Sequence, residues 1–129
     1  MPYDILIIED SDIVVQKLTE LLEPLDNIRI KGRASDGYTA VKMIRELNPD
    51  YIILDISLKH GHGIKVLEDI SDFVHKPYVI VLSNLNYQYY REKCKSLGAM
   101  HFFFLFMELE KVHEILNERT KTTCDAISA

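Results

Sequence analysis

Five times along this chain a short apolar run is followed by a segment with helical spacing, and few folds accommodate that alternation. The runs DILIIED, YIILD and YVIVLS have unbroken apolar centres, as expected of strands buried on both faces. NIRIKGR alternates and reads as a more exposed strand, and MHFFFL is the last strand candidate, ending at Leu105. The stretches between are amphipathic. Val15, Leu18, Leu22 and Leu25 share a face of the first, behind a cap at Ser11 or Asp12 and ahead of Pro24. Ala40, Val41, Ile44 and Leu47 share a face of the second, which Asp36 caps. Ile64, Leu67 and Ile70 point inward from the third. Tyr87, Tyr90, Cys94 and Leu97 mark the fourth, which Gly98 stops. Leu109, Val112, Ile115 and Leu116 mark the last, over 107–119. Right-handed crossovers turn five such units into one parallel sheet with helices on both faces.

The 129 residues suit one domain with a real core, over 1–119, and a flexible polar tail at 120–129. A formal net charge of -5 disfavours direct nucleic-acid binding and anionic membrane. No apolar run approaches the length of a membrane span, and MPYDILIIED lacks the basic region of a signal peptide. Cys94 and Cys124 have neither metal spacing nor a disulfide framework and read as reduced thiols of a cytoplasmic protein.

Polar groups sit at three strand ends: Glu9 and Asp10 after the first, Asp55 at the third and Ser83 at the fourth. Ligands of open parallel sheets bind outside the carboxyl ends of strands, near the point where strand order reverses. If strands one, three and four are neighbours, these four groups share a pocket. Carboxylates crowded there must protonate or take up a cation. All-oxygen ligands suit a hard divalent ion, above all Mg²⁺. A carboxylate beside such an ion is equipped to act as a nucleophile toward phosphorus. An aspartyl phosphate on Asp55 is the chemistry favoured, with the Ser83 hydroxyl hydrogen-bonding the product. Taken singly, Asp10 or Ser83 reads first as a cap or turn former.

These residues resemble the receiver domain of bacterial two-component response regulators, in a chemotaxis-regulator-like form, from Ile5 to about Asn117. ILIIEDSD is similar to the family's acidic first strand, and YIILDISLKHGHG to its phosphoacceptor strand and loop, with Gly63 at the loop's end. VIVLSN is similar to the strand ending in the switch hydroxyl, and GAMHFFF to the opening of the fifth strand. The resemblance implies a flavodoxin-like α/β fold, doubly wound, with a five-stranded parallel sheet in order 2-1-3-4-5 and five helices. It implies Asp55 as phosphoacceptor, Glu9, Asp10 and Asp55 as Mg²⁺ ligands with the Ser57 backbone carbonyl, and Ser83 and Phe102 as switch residues. Asn84 then stands where the family tunes loss of the acyl phosphate. A sensor histidine kinase or phosphotransfer protein is the implied donor. The implied output is a change at the face of the fourth helix, fifth strand and fifth helix.

One position departs from the pattern. The family usually ends its fifth strand in a lysine three residues beyond the aromatic, and here that residue is Leu105. An ammonium hydrogen bond to phosphoryl oxygen contributes about 1.5–3 kcal/mol. Its loss weakens phosphorylation, loosens the switch or requires another cation. Lys59, four residues after Asp55, reads first as a solvated loop lysine and second as that substitute. The phenylalanine run reads first as core, with Phe102 and Phe104 on one face and Phe103 and Leu105 on the other. Phe106 is the residue expected to stay exposed, in a homodimer or partner contact on the strand 5/helix 5 face. His60 and His62 read as loop histidines before metal ligands.

The reading favoured is therefore a phosphorylatable acceptor rather than a turnover enzyme. The alternative is a pseudo-receiver retained as an interaction or dimerisation module. A metal-dependent phosphatase would need a further acid/base carboxylate and a substrate cap. The chain ends where an output domain would begin, which suits a stand-alone receiver or the N-terminal part of a longer regulator.

Overall fold

The computed structural model describes residues 2–60, 62–85 and 88–121. In chain order the elements are β1 (Tyr3–Ile8), α1 (Asp12–Leu22), β2 (Ile28–Ala34), α2 (Gly37–Leu47), β3 (Tyr51–Asp55), α3 (Gly63–Ile70), β4 (Tyr78–Ser83), α4 (Gln88–Ser96), β5 (His101–Phe104), α5 (Leu105–Glu108) and α6 (Glu110–Arg119). All strand pairs are parallel, and the sheet runs β2-β1-β3-β4-β5. The expected fold and strand order are those observed.

Strand alternation sends the two halves of each buried run to opposite layers. Leu6, Ile8, Ile52, Leu54, Val79 and Val81 face α2, α3 and α4, where Ala40, Ile44, Leu67 and Cys94 close the layer. Ile5, Ile7, Ile53, Ile80 and Leu82 face α1 and α6, meeting Leu18, Leu22, Val112 and Leu116. Ser11 caps α1 by accepting the Val14 N–H, and Asp36 caps α2 by accepting the Thr39 N–H. Gly98 adopts φ +101°, a left-handed conformation that ends the α4 segment where glycine costs least.

The end of the sheet differs from expectation. β5 stops at Phe104, and Leu105 begins a helix instead of ending a strand. The Glu108 carboxylate, one turn on, accepts the Phe104 N–H at 2.9 Å. That bond satisfies a donor at the helix start, and an acid there also suits the helix dipole. Leu109 keeps right-handed helical backbone angles between α5 and α6, so helical conformation runs from Leu105 to Arg119 in two segments. Among the described residues there are six helical segments, with α5 and α6 together in the place of the expected fifth helix. As an edge strand, β5 leaves all four of its residues only half-buried. At the other end of the domain, Thr120 is buried and its carbonyl accepts Asn27 Nδ2 at 2.8 Å, so the packed domain includes the first residue assigned to the tail. Tyr87, Gly61, Cys124 and residues 122–129 lie outside the described residues.

Candidate functional site

β1 and β3 are neighbours, so their carboxyl ends deliver Glu9, Asp10 and Asp55 to one place. Their carboxylates each offer an oxygen within 4.8 Å of the others. The backbone fixes this cluster. Glu9 donates its N–H to Ala34 O and accepts the Arg33 guanidinium on its carbonyl, both from the end of β2. Asp55 Oδ1 accepts the Ser57 N–H at 2.7 Å, and Asp10 Oδ2 accepts the Lys59 N–H at 3.1 Å. The loop after β3 is thereby tied to both acids. It is also pressed against Gly63, where a Cβ would lie 2.4 Å from Ile56 Cα and 2.8 Å from Asp55 O.

Glu9 is 2% exposed and Asp55 is 6% exposed. Glu9 Oε1 accepts the Ser11 N–H at 3.0 Å, while Glu9 Oε2 is buried without a hydrogen-bond partner. Burial, and then the neighbouring Asp55 carboxylate, push the Glu9 carboxyl up to about 8. A buried oxygen with no donor, among crowded carboxylates, calls for a proton or a cation. The oxygen-only donor set fits a hard divalent ion. His60 and His62 are exposed and do not belong to this cluster, which is the one group of potential metal ligands among the described residues.

The cluster opens into a cleft of about 530 Å³ with two unlike walls. Ser57, Lys59 and Asn84 supply the polar wall, with Ser57 Oγ donating to Asn84 Oδ1 at 2.9 Å. Ile13, Val14, Leu105, Phe106 and Leu109 supply the apolar wall, and Lys17 stands beside them. Phe106 is 75% exposed and Ile13 is 68% exposed, so the rim of this wall is open to solvent. Phe106, expected to be exposed on the strand 5/helix 5 face, follows β5 and lines the cleft of the acids.

Ser83 ends β4 beside Asp55, as its place in the sequence required, but its hydroxyl is engaged elsewhere. It donates to Leu85 O at 2.7 Å and accepts the Leu85 N–H at 2.9 Å, and it does not line the cleft. Phe102 lies on the other side of the sheet edge, under the Arg91 guanidinium at 4.9 Å, and that guanidinium donates to the Phe102 carbonyl. Residues that sequence reading missed are Ile13, Val14 and Lys17. They occupy positions i, i+1 and i+4 of α1, the spacing of one helical face. That shared face, directly after the acid pair, is the signal for them in the sequence.

Comparisons with known proteins agree with this geometry. Residues 5–117 match the family described as the response regulator receiver domain. The Bacillus subtilis protein CcdB is 33% identical over 113 residues, covering 88% of this chain and 93% of that protein. A protein-glutamate methylesterase/protein-glutamine glutaminase of Methanospirillum hungatei is 32% identical over 93% of this chain, which spans 36% of the longer protein's length. Among solved structures, the CheX-CheY-BeF3-Mg+2 complex from Borrelia burgdorferi contains a chain with TM-score 0.82 and 28% identity, covering 94% of this chain and 92% of its own. The response regulator domain of Thermotoga maritima CheB gives TM-score 0.80 at 24% identity, covering 93% of this chain and 94% of that one, which speaks to fold alone. No helix among the described residues is long and apolar enough to cross a membrane. A sheet of this order, an acid cluster at its carboxyl edge and a match over most of the sequence place the chain in the response regulator receiver domain family.

Proposed function

We propose that Asp55 accepts a phosphoryl group from a sensor histidine kinase or phosphotransfer protein, with Mg²⁺ held by Glu9, Asp10, Asp55 and the Ser57 carbonyl. The observation carrying this reading is the meeting of three carboxylates around an unpartnered, buried Glu9 oxygen. When bound, Mg²⁺ supplies neutralisation of charge on the transferring phosphoryl oxygens. The protein supplies the rest. The Ser57 N–H on Oδ1 orients the Asp55 carboxylate. The other oxygen attacks phosphorus, the phosphorus–nitrogen bond of the donor phosphohistidine breaks, and its electron pair leaves with the imidazole, which regains a proton from solvent. Asp55 is both nucleophile and carrier of the product, so the receiver segment turns over no separate substrate.

Relay follows from the same bond. We assign Ser83 and Phe102 as the switch pair. A phosphoryl group on Asp55 competes with Leu85 for the Ser83 hydroxyl, and release of that turn bears on the loop leading to α4. The face of α4, β5 and the α5–α6 segment then changes, with Phe102 leaving its place under Arg91. The exposed rim at Ile13 and Phe106 is the docking surface for the phosphodonor protein, ahead of a homodimer contact. The reading places the protein in the cytoplasm, with a receiver that extends through Thr120 and a tail beyond it.

Leu105 in the cleft and the closed Ser83 turn favour a second reading, a pseudo-receiver that binds partners without phosphorylation. Intact mass after incubation with acetyl phosphate decides between them. The first reading expects one phosphoryl adduct that needs Mg²⁺ and is lost in Asp55→Asn. An unmodified wild-type chain would leave the second.

A further inference from the structure

We infer that Lys17, on α1, is the cation that meets the phosphoryl group in the cleft where Leu105 offers none. This rests on the acceptor reading of Asp55 above and names a further residue of that site. Lys17 and Lys59 are the cationic residues lining the cleft, and neither ammonium forms an ion pair among the described residues. A doubly charged phosphoryl group on Asp55, beside Glu9 and Asp10, leaves a net negative charge even with one divalent ion bound. A preorganised cation at that point stabilises both the transferring group and the product.

Geometry favours Lys17 over Lys59. α1 begins at Asp12, directly after the acid pair, so its N-terminal end is the end at the site. Lys17 stands about 8 Å of helix rise beyond that start. Side chains on a helix tilt toward its N-terminus, which aims the lysine stem back at the carboxylates. Lys17 follows Ile13 and Val14 on one helical face and shares the apolar wall with Leu105, Phe106 and Leu109. Its methylenes can lie along that wall while the ammonium reaches the polar floor. An ammonium with an apolar wall on one side attracts phosphate more strongly than one in open water. Lys17 and Lys59 are both exposed, but Lys59 is a loop residue tied at its backbone to Asp10, without the helical direction and the Ile13 and Val14 flank that Lys17 has.

The test is beryllofluoride affinity at saturating Mg²⁺, followed by fluorine NMR, with Mg²⁺ affinity measured separately by calorimetry. Lys17→Met is expected to weaken beryllofluoride binding about tenfold, to leave Mg²⁺ affinity equal or tighter, and to leave the unfolding midpoint unchanged. Lys17→Arg restores most of the affinity, and Lys59→Met stays within about twofold of wild type. A Lys17→Met chain within twofold of wild type overturns the inference, as does a loss confined to Lys59→Met. Either result leaves the acceptor reading standing, because wild type still binds both ligands. A wild type that binds Mg²⁺ but no beryllofluoride also overturns it. A wild type that binds neither removes the acceptor reading and the inference together.

Discussion

Glu9 concentrates the site's physical conflict in one side chain. It is held in place by the Ser11 N–H on one oxygen, while the other has no donor. Its carboxyl is pushed up to about 8 by burial first and by Asp55 second, from a usual 4.5. The folded chain therefore keeps a proton on Glu9 that the unfolded chain loses above about pH 4.5. Stability from this group is fully present below that pH and is lost as pH rises toward 8. His101 acts in the opposite direction, since burial and Arg119 lower its ring. The difference between wild type and Glu9→Gln isolates the carboxylate. Without divalent ions, wild type is expected to lose unfolding midpoint relative to Glu9→Gln between about pH 5 and 8, and added Mg²⁺ should close that gap. Parallel curves in thermal unfolding would contradict this.

Between residues and whole fold stand the two loops that shape the cleft. The loop after β3 closes on Gly63, and Gly63→Ala sets a methyl against Ile56 Cα and Asp55 O. The expected cost is about 2 kcal/mol, seen as a fall in midpoint of roughly 5–10 °C. An unchanged midpoint would mean the loop has room to move. The junction of β5 and α5 sets the opposite wall. Its run of six apolar residues, 102–107, reads as strand because nothing polar interrupts it, and the decisive signal lies just past it in Glu108. That acid reaches back to the Phe104 N–H, so the chain turns into a helix at Leu105 and Phe106 swings to the cleft rim. Phe106→Ala is expected to slow phosphoryl transfer from a histidine-phosphorylated protein about tenfold more than transfer from acetyl phosphate. Equal effects in stopped-assay mass spectra would remove the docking role.

At the scale of the molecule, strand order explains why acids far apart in sequence become neighbours. Glu9 and Asp55 meet because β1 pairs with β3, and Ser83 follows because β3 pairs with β4. That much was legible, since buried parallel strands announce themselves as unbroken apolar runs ending in polar groups. What was not legible is where side chains turn at the ends of elements. The Ser83 hydroxyl closes on Leu85, and of the α1 residues lining the cleft Ile13 and Lys17 are exposed while Val14 also packs against the core. Such choices follow from local hydrogen bonds and loop paths, which hydropathy does not encode. The central claim is that oxygens from separate strands hold one divalent ion at Asp55. Calorimetric titration with Mg²⁺ at about pH 8 tests it most directly, because Glu9 is then free to ionise. The account predicts one Mg²⁺ per wild-type chain and at least about tenfold weaker binding in Asp10→Asn. No binding by wild type, or equal binding by the variant, would contradict it.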